Sequence, residues 1–492
     1  MVEDKELKRG LNLPMAIFII VGMVIGASIW VNPAAYLSRT GPAMFLAYLI
    51  AVIPAIFVAY ISAYLGSAFP VAGGSYVISS RILGGFGGFM AVWLIILAVG
   101  STLAYLATTF GVFLADAFLI PVEMEMIFVI VIGLLVLVGF YFLNWIKIEF
   151  SGLVELIITL LGDILVMVIF IVAAIPVFNP SNFTNFFPLG LSPVLFAALV
   201  FFFSYVGFTL ILDVAGEVKN PRKNIPRALF ISFILLITLY TLQALMVAGI
   251  QPWNAPVGTV IEIILTGSLL PQGMVVFMAI LIAIAIASTI HPSYMAYSRD
   301  ILMISREFLF PKKLSKVHEK QKTPIPALTL LLVVGMIFLI TFIPLLTALD
   351  SSITIEIAAA LLSAIVGVVV LIIQIPLCIG AIIFKKKFPE WHENAGFKPS
   401  PTSLKIIGSL GAIFSLLFLL LLFTDPDAGA IIAIIVFPFA GIGAIVYWIR
   451  KRTLNKRGIN IKEIMRKLPE SVSHDEGMPS KLEKLAKEKE KS

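Results

Sequence analysis

Asp163 stands in the apolar run "ELIITLLGDILVM", with Glu155 about two helical turns before it. A carboxylate in hydrocarbon costs several kcal/mol, so each acid should face protein or a water-filled cavity. An acid so placed can carry a proton, or it can be a structural group hydrogen-bonded between helices. A second set lies in "AIASTIHPSYMAYSRD". Ser288 and Thr289 offer hydroxyl oxygens to a cation such as sodium, and they suit helix packing equally. His291 titrates near neutrality. Pro292 beside it marks a kink whose loosened carbonyls need a donor, and the donor role is the preferred reading. A third set is charged. Glu217 sits beside Lys219, Arg222, Lys223 and Arg227, and Arg81 follows "GGSYVISS". These residues read either as an ion-pair cluster that closes an inner mouth or as ordinary basic decoration.

Other chemistries find less support. "VAGGSY" lacks the lysine and the strand-to-helix context of a phosphate loop. His291, His318, His392 and His474 are scattered, so no metal centre and no cofactor is expected, and an enzyme is disfavoured. A single cysteine, Cys378, excludes an internal disulfide framework.

The elements that must position these residues are membrane helices. The 492 residues are 60% hydrophobic and 13% charged, about half the charge of a soluble chain. A helix of about 20 apolar residues crosses the hydrocarbon. The runs are too long and too little alternating for a barrel. Twelve spans are expected, at 12–38, 42–68, 86–115, 124–144, 150–176, 193–216, 226–250, 270–298, 326–347, 353–383, 405–424 and 427–450. No cleavable signal follows Lys8 and Arg9, so the first span should be retained.

Twelve spans put both termini on one side. That side holds Lys5, Lys8, Arg9, Arg81, Lys147, "KNPRKNIPR", the bases of 299–322, Lys385 to Lys387 and the tail. The other side holds Arg39 as its only base, with Asp116, Glu123, Glu125, Asp350, Asp425 and Asp427. The positive-inside rule therefore makes both termini cytoplasmic in a multi-pass cell-membrane protein. The net charge of +7 follows from this topology, and nucleic-acid binding is a poor reading of it.

Two spans are interrupted. "GMVIGASIW", residues 22–30, collects Gly22, Gly26, Ala27 and Ser28 inside the first span. Small residues four apart serve close helix packing, or they mark an unwound stretch whose backbone binds a ligand. In the sixth span Ser204, Gly207 and Thr209 interrupt "SPVLFAALVFFFSYVGFTLILDVAGEVKNP". Spans one and six are equivalent if spans one to five and six to ten are inverted halves. Paired interruptions at equivalent positions point to a secondary transporter, with half-helix dipoles meeting at the midplane.

Four stretches in order carry a resemblance: "GMVIGASIWVNP", "FPVAGGSYVISSRILGGFGGFMAVW", "FFFSYVGFTLILDVAGEVKNPRKNIPRAL" and "YSRDILMISREFLFPKKLSKVHEKQKTPIPAL". Over residues 10 to 450 the chain resembles the amino acid permeases of the amino acid–polyamine–organocation superfamily. The resemblance implies an all-α, LeuT-like fold of twelve helices. Spans one and six would be discontinuous within a five-plus-five inverted repeat, followed by two further helices. The organisation is then a cytoplasmic N-terminus 1–11, a first repeat 12–176, an external loop 177–192, a second repeat 193–383, a cytoplasmic loop 384–404, the last two helices 405–450 and a basic tail 451–492. It also implies secondary transport of amino acids by alternating access. The stretch Ile25, Gly26, Ala27, Ser28 and Ile29 would receive the substrate carboxylate. The carbonyls around Phe203, Ser204 and Gly207 would receive the ammonium, and Tyr205 and Phe208 lie near the aromatic gate.

The chain also departs from the pattern. Gly216 replaces one of a usual pair of glutamates before "VKNP". Gly162 stands where some proton-coupled members carry a lysine, which turns attention to Asp163. An apolar lining suits neutral or hydrophobic amino acids, with proton coupling leading. Exchange, sodium coupling, a cationic amino acid or polyamine substrate, and a non-transporting membrane sensor stay open. The expected partners are an amino acid, a proton or sodium, and membrane lipids; the oligomeric state is open.

Overall fold

The computed structural model describes residues 9–118, 120–146, 148–254, 271–349, 353–424 and 429–465. Lys5, Lys8, Lys147, Asp350, Asp425, Asp427, most of the linker after span seven and most of the C-terminal tail lie outside the described residues. Within them the protein is all-α. Eleven helices are long and apolar enough to cross a membrane, and a bent pair makes a twelfth span.

That bent pair is α1 (Leu13–Val24) and α2 (Ser28–Thr40), which meet at 41°. Asn12 caps α1 by accepting from the Met15 N–H, 3.0 Å. The helix stops where Ile25 turns to extended backbone, φ −75° and ψ 92°. Next come α3 (Met44–Ala68) and α4 (Gly74–Ala117). The sequence reading starts the third span at 86, but α4 begins twelve residues earlier and bends at Gly84. The bend needs glycine because φ is +80°, which places the turn in left-handed space. Arg81 thereby sits on an ordered helical turn and not in a loop.

The remaining spans are α5 (Val122–Leu143); α6 (Ile148–Ile158) and α7 (Val166–Ala174), separated by a π-helical turn at Thr159–Leu165; α8 (Ser192–Phe201); and α9 (Pro221–Ile250). They continue with α10 (Gln272–Ser288), α11 (Ile290–Arg306), α12 (Ile325–Leu349) and α13 (Ile355–Lys387). After the short α14 (Pro389–Glu393), α15 (Pro401–Phe423) and α16 (Gly429–Lys456) close the bundle. The sixth span unwinds as the small residues suggest. A 3₁₀ turn, Phe202–Tyr205, follows α8, and Gly207 adopts φ +120°. Only further 3₁₀ turns follow, at Phe208–Leu212 and Ala215–Glu217, where a second α-helical half was expected.

The helices carrying the candidate residues form the inside. Every described side chain from Ile290 to Ser305 is buried. The outer helices α5 and α16 show apolar faces, for example Ile127 and Ile434, as lipid-facing surfaces do. Trp448 is half exposed and suits an interface, whereas Trp30 and Trp391 are buried inside the bundle. The architecture is that of a multi-pass membrane protein.

Candidate substrate and coupling site

The two broken spans touch. A Cβ on Gly207 would lie 2.9 Å from Met23 Cγ and 3.0 Å from the Met23 carbonyl oxygen. Glycine is therefore required there twice, by its φ and by the approach of the first span. Carbonyls freed around Ile25 are held from outside. The Tyr240 hydroxyl donates to Val24 O at 3.0 Å, and Gln243 Nε2 donates to Ile29 O at 2.9 Å. The Thr289 hydroxyl faces Gly22 O at 2.9 Å and Ile25 O at 3.2 Å. Ala27, Ser28 and Ile29 open α2, where the first N–H groups of a helix have no partner within it.

The aromatic residues of the sixth span divide. Tyr205 packs on Tyr240, ring centroids 5.2 Å apart, and Phe208 meets Phe233 edge-on at 4.9 Å. Both are fully buried, as is Ser204. Phe203 alone of these is partly exposed, with its ring 6.0 Å from that of Tyr105 on α4.

All five residues read as coupling candidates come together behind the break. His291 Nδ1 lies 2.8 Å from Glu155 Oε2, with both side chains fully buried. The Thr159 hydroxyl donates to Glu155 Oε1 at 3.3 Å. A Cβ on Gly22 would strike Glu155 Oε1 and Thr159 Oγ1, so the first small residue of "GMVIGASIW" makes room for an acid of span five. Asp163 is fully buried in the π-helical turn, beside Glu155 and Ser288. The Ser288 hydroxyl beside Asp163 donates to Ala285 O at 2.7 Å. His291 thus faces a carboxylate, where the kink reading expected it to serve loosened carbonyls. The Ser293 hydroxyl donates to Thr289 O at 2.8 Å.

The charged set, read as an ion-pair cluster or as basic decoration, divides into two buried pairs and an exposed remainder. Glu217 accepts from Arg299 Nε at 2.8 Å and Nη2 at 3.2 Å. Arg81 donates through Nη1 to Glu307 at 2.9 Å, and the Tyr76 hydroxyl donates to the same carboxylate. Both pairs are buried. Breaking such a pair by removing one partner costs about 3–5 kcal/mol. Lys219, Lys223 and Arg227 stay exposed. The sequence reading missed Arg299 and Glu307 as partners because α11 runs on to Arg306. Their signal was the alternation of sign in "SRDILMISRE", which a plain basic loop does not need.

Among the described residues no group of three or more His, Cys, Asp or Glu side chains is placed to hold a metal ion. A cavity opens between α4, α11, α13 and the turn after the sixth span, lined by Ser79, Thr209, Asp213, Tyr297 and Gln374. Its empty volume is about 480 Å³, part of it open to solvent.

Two broken membrane helices that meet, with a buried polar cluster behind the first break, are the architecture of a membrane carrier. Residues 11–449 match the family model described as amino acid permease. The chain is 26% identical to the branched-chain amino acid permease BcaP of Bacillus subtilis (strain 168), over 65% of this chain and 72% of that one. It is 27% identical to the human large neutral amino acids transporter small subunit 2, over 68% of this chain and 65% of that one. It is 26% identical to the human cystine/glutamate transporter, over 68% and 69% respectively. The chain belongs to the amino acid permease family, within the amino acid–polyamine–organocation superfamily. It is a secondary-active amino acid transporter, not an enzyme.

Proposed function

We propose that this transporter takes up neutral amino acids by alternating access and couples uptake to protons. The observation that carries the site is the contact between the two breaks, Gly207 against Met23. The substrate carboxylate binds the N–H groups that open α2, at Gly26, Ala27 and Ser28, aided by the positive end of the helix dipole. The ammonium takes carbonyls around Phe203, Ser204 and Gly207. Phe203 is the side chain placed to cover the substrate, since Tyr205 and Phe208 are packed away. The residues of the two breaks, 22–30 and 203–209, include no acid or base of their own, which favours a neutral side chain. The relatives named for branched-chain and large neutral amino acids point the same way. Glu155, Asp163 and His291 carry the proton, next to the carbonyls of the first break. Residues 12–176 and 193–383 act as inverted halves.

A second reading, sodium coupling, rests on one observation. The Thr289 hydroxyl meets the carbonyls of Gly22 and Ile25, and the hydroxyl of the preceding residue, Ser288, meets Ala285 O. A panel of labelled amino acids in proteoliposomes, under imposed proton and then sodium gradients, separates the readings. Accumulation of leucine-like substrates under the pH gradient alone is expected. Accumulation that needs sodium, or none beyond exchange, overturns the proton assignment.

Both termini are cytoplasmic in this proposal. A cysteine placed at exposed Lys398, with buried Cys378 replaced, should resist an impermeant maleimide added outside intact cells. Labelling from outside would reverse the orientation.

A further inference from the structure

Away from the breaks, Asp213 and Asp300 come together in a way the transport site does not use. Asp213 ends the turn after the sixth span, and Asp300 lies on α11. Their exposures are 1% and 0%. Both anchor the start of α4. The Ser75 N–H donates to Asp213 Oδ1 at 2.6 Å, and the Tyr76 N–H donates to Asp300 Oδ1 at 3.0 Å. The glycine-rich "VAGGSY" is thus a seat for two carboxyls from other spans. Gly73 and Gly74 let those spans approach, because a Cβ on Gly74 would strike the Leu212 carbonyl.

The N–H groups of two consecutive residues hold Asp213 and Asp300, so the two carboxyl groups lie next to each other. Like charges so close cannot both persist in a buried place, whereas one proton between them leaves a single charge and a hydrogen bond. Each retains an oxygen, Oδ2, that has no donor. The surrounding charges are matched elsewhere. Arg299 of α11 is held by Glu217, and Arg81 of α4 by Glu307, which also takes the Tyr76 hydroxyl. Tyr297 of α11 lines the same cavity as Asp213. Of the α13 residues that line the cavity with Asp213, Gln374 is polar and uncharged and Val369, Val370, Ile373 and Leu377 are apolar.

We propose that Asp213 and Asp300 bind one proton between them, in a site reached through the cavity lined by Ser79, Thr209 and Gln374. The shared proton joins three elements: the start of α4, the turn after the broken sixth span, and α11. Its loss leaves two anions facing each other and drives those elements apart, so the site is a proton-dependent latch at one end of the substrate path. It is separate from the Glu155–Asp163–His291 cluster.

Infrared difference spectra of the detergent-purified full-length protein, between neutral and strongly alkaline buffer in H₂O and D₂O, read the proton directly. The wild type should lose a protonated-carboxyl C=O band on alkalinisation. That component should be absent from Asp213→Asn and from Asp300→Asn, and retained in Asp163→Asn. Asparagine keeps an acceptor for the α4 N–H and supplies an N–H in place of the shared proton, and circular dichroism verifies folding. Either variant that folds suffices. A wild type with no protonated carboxyl at neutral pH, or a component that survives in the Asn variants, overturns the proposal. The readout contains no transport step, so it stands or falls independently of the substrate and coupling assignments.

Discussion

Proteoliposomes bearing Asp163→Asn should exchange labelled neutral amino acid in counterflow at close to the wild-type rate, yet fail to concentrate it under an imposed pH gradient. A gradient of one pH unit supplies about 1.4 kcal/mol per proton, about tenfold in accumulation. The variant should lose that whole factor. The reason is local. Asp163 is fully buried in the π-helical turn, with Glu155 and the Ser288 hydroxyl beside it. Such turns are common at functional sites, because the widened ladder re-aims a side chain. An amide at this position resembles the protonated acid in shape, so binding at the neighbouring break survives while release of the proton does not. Normal gradient-driven accumulation by the variant would remove Asp163 from the mechanism and leave Glu155 with His291 as the carrier.

Gly207→Ala should lower the apparent melting temperature by several degrees and abolish stabilisation by added amino acid. Residues forced into sparsely populated backbone regions cost about 1–3 kcal/mol. Alanine at φ +120° meets that cost and also sets its Cβ 3.0 Å from the Met23 carbonyl oxygen. Overpacking adds about 1–3 kcal/mol. Gly26 offers the contrast, since the nearest atoms to its Cβ would be 3.9 Å away. Gly26→Ala should melt as the wild type does, whereas Gly26→Leu should fold yet lose binding by filling the break. The measurement is thermal melting across a series of amino acid concentrations, because ligand stabilisation grows with concentration over affinity. If Gly207→Ala melts and binds as the wild type does, the two breaks do not meet as described.

How much was legible varied by element. Long apolar runs located the spans, since hydrocarbon demands about 20 residues and internal hydrogen bonding whatever the fold. The breaks at Ile25 and Gly207 were legible because glycine and small residues are out of place in such runs. The start of α4 at Gly74 and the run of α11 to Arg306 were not, since polar helical turns at span ends look like loops in a hydropathy reading. The π-helical turn had no signal at all.

By itself the sequence determined the membrane class, the family, the two interruptions and the list of titratable residues that hydrocarbon makes expensive. It could not pair them. Glu155 was one of two acids on span five until the fold set it 2.8 Å from His291, 136 residues later. Glu217 and Arg81 could have belonged to one cluster or to none, and the helices direct them to Arg299 and Glu307. Asp213 and Asp300, the one late in a broken span and the other in a presumed loop, meet only because α4 starts between them. The physical reason is that burial cost acts on each residue alone and is written in local composition. Partners are chosen by which helix faces meet, and that is a property of the packed bundle.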